Sequence, residues 1–79
     1  MTKEELALKI RNADPQDDGV FREIIREAMV AEYVSGAVVA DRFGISYGTI
    51  CRWQNGFTVP HVEMRPLFYS WLVDQLSKP

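Results

Sequence analysis

The sequence predicts an all-α fold, a compact bundle of five helices forming one domain. Apolar residues recur at spacings of three and four, most clearly over residues 20–34, which is the period of a helix with one buried stripe. No segment sustains period-two alternation, so no sheet is expected. Glycine, proline and short polar residues punctuate the chain near residues 14–19, 35–36, 44–46 and 55–60, leaving five runs between them.

The totals agree with one small domain over residues 1–79. Apolar residues make up 47% and charged residues 25%, an ordinary globular composition. A core of this size supplies about 3–5 kcal/mol, so a partner subunit would add usefully to it. No apolar run approaches the roughly 20 residues that cross a bilayer, so no membrane association is expected. Lys3 is followed at once by Glu4 and Glu5 with no apolar stretch behind them, so no secretory leader is visible and a cytoplasmic location is expected. Cys51 is the single cysteine and His61 the single histidine, which excludes an internal disulfide and a sulfur- or nitrogen-rich metal site. No cofactor is implied.

The first helix begins at a capping box, with Thr2 as N-cap and Glu5 reaching back. Leu6, Ile10 and Ala13 share its buried face, and it ends near Asn12 because Pro15 restricts Asp14. Residues 1–15 thus form an added helix ahead of the rest. Residues 14–19 read as a turn that also caps the next helix. The second helix spans residues 20–34, with Val20, Phe21, Ile24, Ile25, Ala28, Met29 and Tyr33 on the buried stripe, Arg22, Glu23, Arg26 and Glu27 outward, and Ser35-Gly36 as its stop. Two short helices come after it, over residues 37–43 and 47–55. The last occupies residues 61–77, with Pro66 in its first turn and Leu67, Phe68, Trp71, Leu72 and Leu76 on one side.

The break between the two short helices is the informative stretch. Two helices crossing steeply over a tight turn need a small residue where they touch, and Ala40 is there. The turn needs a residue at ease with positive φ, which Gly44 is. Ile45 plugs the gap beneath, and Ser46 is a preferred N-cap for the next helix. Val39 and Phe43 face the core from the first helix, Ile50 and Trp53 from the second, and Gly56 closes the second as its C′ residue. Residues 36–56 therefore read as a helix-turn-helix.

Ala40, Gly44, Ile45, Ser46, Ile50, Trp53 and Gly56, followed by Pro60, resemble the helix-turn-helix of the lambda-repressor and Cro-like family. The resemblance covers residues 20–76 as an architecture and 36–60 as a motif. It implies a lambda-repressor-like bundle with an extra N-terminal helix. In such proteins the second helix of the motif lies in the DNA major groove. The base-reading residues implied here are Ser46, Tyr47, Gly48, Thr49 and Arg52. Arg52 lies one turn below Gly48 on the outward face and suits the O6 and N7 acceptors of guanine. The other reading of Arg52 is a solvated arginine paired with Asp41 or Glu32. Tyr47 either donates to a phosphate or packs on Phe57. Gly48 costs its helix roughly 1 kcal/mol against alanine, which close approach of DNA or simple drift would equally explain.

Phosphate contacts are implied at Gly36 and Ala37, the start of the first motif helix, and at Asn55 and Gly56. Ala37 and Val38 stand where the family commonly has polar residues, which implies modest affinity and a shallow salt dependence. The net charge of −2 is unusual for a DNA binder, but the acid is displaced. Residues 1–35 carry net −3, residues 36–60 net +1 and residues 61–79 none. A homodimer through the C-terminal helix would double the contacts and read half-sites about 34 Å apart. Tyr69 and Val73 are its candidate surface, because that helix is apolar nearly all round. Enclosure of the helix by the N-terminal one is the competing explanation.

The functional expectation is a sequence-specific transcriptional regulator of the phage or prokaryotic repressor type, bound to double-stranded DNA. The alternative is a helix-turn-helix module that binds a protein, such as an anti-repressor, antitoxin or assembly adaptor. An enzyme is not expected. The sequence holds no glycine-rich phosphate loop with lysine, no catalytic triad set and no carboxylate pair in a cleft.

Overall fold

Four of the five helices begin at a residue whose side chain accepts a backbone N–H. In the computed structural model, which describes residues 1–78, α1 (Lys3–Arg11) is capped by Thr2 with the full capping box. Asp17 caps α2 (Asp18–Val30), Ser35 caps α3 (Gly36–Phe43), and Ser46 caps α4 (Tyr47–Gln54). Only α5 (Arg65–Leu76) starts without a side-chain cap, with Pro66 in its first turn where an N–H would have no helical partner. No strand occurs among the described residues, and none of their helices is long and apolar enough to cross a membrane.

The second helix ends four residues earlier than its apolar spacing suggests. Glu32 adopts φ 60° and stops it at Val30. The Tyr33 N–H donates to the Ala28 carbonyl at 2.9 Å and the Glu32 N–H to that of Met29 at 3.1 Å. This is the doubled closure of a left-handed helix end, here with glutamate where glycine is usual. Ser35 and Gly36 are therefore the start of α3 rather than the stop of α2. The Ser35 hydroxyl accepts the Val38 N–H at 3.1 Å. At the other boundary, residues 61–64 precede α5 as a turn instead of belonging to it.

The core is aromatic at its centre. Phe21 of α2 meets Phe68 of α5 at 5.4 Å and Trp53 of α4 edge-on at 5.6 Å. Phe43 of α3 meets Phe68 at 5.5 Å and Trp71 edge-on at 5.5 Å. Such offset and perpendicular pairs add about 0.5–1.5 kcal/mol each beyond area burial. Ile24, Ile25, Val39, Ile50 and Leu72 complete the enclosed layer. α1 closes the bundle from outside, burying Leu6 and Ile10 against α5 and α2.

That closure rotates α5 relative to the face expected for it. Phe68, Tyr69, Leu72 and Leu76 point inward, whereas Leu67 is 68% exposed and Trp71 only half-buried. Tyr69, expected on a dimer surface, is a core residue, and Val73 is half-buried beside the added helix. A helix with apolar residues on nearly every side has little periodicity with which to choose its buried face.

Candidate functional site

The outward side of α4 is set by the turn that precedes it. Gly44 stands at φ 65° with open space around it, so its backbone angle alone favours glycine. The N–H groups of Gly44 and Ile45 both turn back to the Ala40 carbonyl. Ser46 then restarts the helix. Its hydroxyl accepts the Thr49 N–H at 3.2 Å and lies 2.9 Å from the Thr49 hydroxyl. With Ile50 and Trp53 buried beneath, Ser46, Tyr47, Gly48 and Arg52 are exposed together, and Thr49 is half-buried among them. Four of the five residues expected to read bases are thus exposed at the front of α4.

The Arg52 side chain has no ion pair or hydrogen-bond partner among the described residues, and neither Asp41 nor Glu32 engages it. Its guanidinium leans back along the helix toward Gly48. Tyr47 does not need Phe57, which is itself 77% exposed. The Tyr47 ring lies against Gly36, where any Cβ would collide with it. Gly36 is therefore the residue that lets the front of α4 close onto the start of α3.

The phosphate-binding expectations divide. At the start of α3, Ser35 already serves the Val38 N–H, while the Gly36 and Ala37 N–H groups have no backbone partner among the described residues. Ala37 is exposed, but the Tyr47 ring covers part of Gly36. At the end of α4 the donors are spent internally. The Asn55 amide donates to the Cys51 carbonyl at 2.9 Å, the Gly56 N–H to Trp53 and the Phe57 N–H to Arg52. Gly56 takes φ 78° in doing so and closes the helix.

Two arginines without a role in the motif bear on this region. Arg22 of α2 lies over Gly56, its Nε 3.4 Å from the Gln54 carbonyl, and brings a cation to the end of α4. Arg65 is 2% exposed. It donates to the Pro60 carbonyl at 3.1 Å and the Pro15 carbonyl at 2.8 Å, and pairs with Asp18 at 2.7 Å. It fixes the connector that succeeds α4. The sequence signal for Arg65 is electrostatic: a cation in the first turn of a helix opposes the helix dipole, so it needs a tertiary partner.

A shallow groove between α3 and α5 is lined by Arg42, Phe43, Leu67, Trp71, Val73 and Asp74. No cluster of metal-ligating side chains occurs among the described residues. Cys51 is half-buried, and the His61 ring nitrogen accepts the Glu63 N–H within its own turn. Comparison with protein-family models, with curated proteins and with solved structures finds no match to this chain.

Proposed function

We propose that this chain is a helix-turn-helix domain of lambda-repressor-like type and a sequence-specific DNA-binding regulator, reading the major groove with α4. The observation that carries the reading is the exposed front of α4, where an Arg52 side chain without a partner lies over Gly48 near the hydrogen-bonded Ser46 and Thr49 hydroxyls, and Tyr47 is exposed next to them in sequence. A helix of about 10–12 Å diameter fits a major groove about 12 Å wide, and these side chains are the donors and acceptors that base edges and phosphates require. Arg22 and the start of α3 flank α4 as phosphate contacts. With so few cations the affinity is modest and rests on pairing two protomers. The surplus apolar surface of α5, now Leu67, Trp71 and Val73, is the surface proposed for that pairing.

The test is selection of bound duplexes from a random pool by the purified protein at moderate salt. The expected result is an enriched motif that shifts in a gel, weakens as salt rises and is lost with Arg52→Ala. A pool that stays random at low salt rejects the reading. The alternative, a protein-binding module of the anti-repressor, antitoxin or adaptor kind, draws on the net charge of −2 and on the exposed Phe57, Leu67 and Val30.

A further inference from the structure

Gly48 has no structural reason to be glycine. Its φ lies outside the left-handed region, and it sits inside a regular helix turn, where glycine costs roughly 1 kcal/mol against alanine. A Cβ there would touch no backbone and no core side chain. The atoms near that position are Arg52 Nη1 at 3.8 Å, Ser46 Oγ at 3.9 Å and Arg52 Nη2 at 4.0 Å. The space a longer side chain would fill is therefore held by the Arg52 guanidinium. Side chains in a helix lean toward its N-terminus, and residues four apart share a face, so Arg52 lies back over residue 48, where a Cβ alone would make ordinary contact and a longer side chain would contest its place.

Resting on the DNA-binding reading, we propose that Gly48 is a specificity-determining residue, a gap that carries the Arg52 guanidinium to the leading edge of α4, where it selects a guanine. The first turn of such a helix goes deepest among the base edges. Its own residues there, Ser46, Tyr47 and Thr49, present only hydroxyls, and the two of Ser46 and Thr49 are hydrogen-bonded to each other. A planar guanidinium placed among them supplies two parallel donors, which match O6 and N7 of guanine and no other base. Ligand and position are set together: one G·C pair per bound protomer, read by Arg52 across Gly48.

The experiment is random-pool selection with the wild-type chain, Gly48→Leu and Arg52→Lys, followed by affinities for the enriched duplex and for its single-pair variants. Gly48→Leu fills the gap with a better helix former, so thermal melting is expected at or above that of the wild type. Arg52→Lys keeps the charge but not the paired donors. The wild type is expected to require one G·C pair, whose replacement weakens binding about tenfold. Both variants are expected to lose that preference at the same pair, while Arg52→Lys keeps the wild-type salt slope. A wild-type motif without a required G·C pair, or variants that keep the preference, overturns the proposal and leaves DNA binding standing. A wild-type pool that never enriches overturns both.

Discussion

Arg65 Nη2 lies 2.7 Å from the Asp18 carboxylate, although Arg65 is 2% exposed and the Asp18 side chain 65% exposed. One partner of the pair is in the core and the other in water. The guanidinium also packs over the Phe21 ring at 5.8 Å and holds two carbonyls from loops far apart in sequence. Charge, stacking and backbone satisfaction converge on one side chain, which joins the α1–α2 turn to the α4–α5 connector.

This asymmetry predicts unequal mutants. Arg65→Met leaves the Pro60 carbonyl without its partner in a buried site and is expected to cost about 2–3 kcal/mol. Asp18→Asn keeps both carbonyl bonds and exposes its own amide to water, so its cost is expected to be smaller by at least about 1 kcal/mol. Urea titration of the two variants checks the order. Equal losses would show that the charge pair, not the carbonyl bonds, secures the junction.

The left-handed end of α2 is occupied by the wrong residue for stability. Glu32 at φ 60° bears a Cβ strain that glycine lacks. Glu32→Gly is expected to stabilise the fold by about 1 kcal/mol, which raises the melting temperature by roughly 4–8 °C in a domain of this size. A fall in melting temperature would mean that the Glu32 side chain contributes something the backbone argument omits.

Tyr69 is buried with its hydroxyl unpartnered, and burial pushes its pKa up to about 12. Arg65 partly opposes this shift and Asp17 adds to it. An unfolded tyrosine titrates near 10. The unfolded chain therefore releases the Tyr69 proton first, so this contribution is whole below pH 10 and is lost as the pH rises from 10 toward 12. Tyr69→Phe is expected to be at least as stable as the wild type at pH 7 and to lose less stability between pH 10 and 11. Denaturant midpoints at pH 7, 10 and 11 measure both, and parallel losses in the two proteins would refute the buried-hydroxyl account.

On the DNA-binding reading, Arg22 meets a phosphate and not a base. Arg22→Ala is expected to weaken binding to all duplexes by a similar factor and to lower the slope of log affinity against log salt by about one. Its melting temperature should stay near that of the wild type, since the side chain is exposed and its bond to Gln54 is long at 3.4 Å. A loss confined to one base pair would place Arg22 in the groove instead.

What the sequence determined by itself was local. Thr2 and Ser46 cap helices because a short side-chain oxygen meets the N–H three residues on, and Gly44 and Gly56 take positive φ because they lack a Cβ. The accessible front of α4 was legible from Ile50 and Trp53 facing inward one turn apart. The tertiary structure decided everything that depended on distant partners: which side of α5 is buried under α1, that Tyr69 is core, that Arg65 reaches back fifty residues to Pro15, and that the Tyr47 ring lies on Gly36. A helix with apolar residues on nearly every side offers no single stripe to orient it, and a buried cation is stable only where carbonyls from other segments have been brought to it.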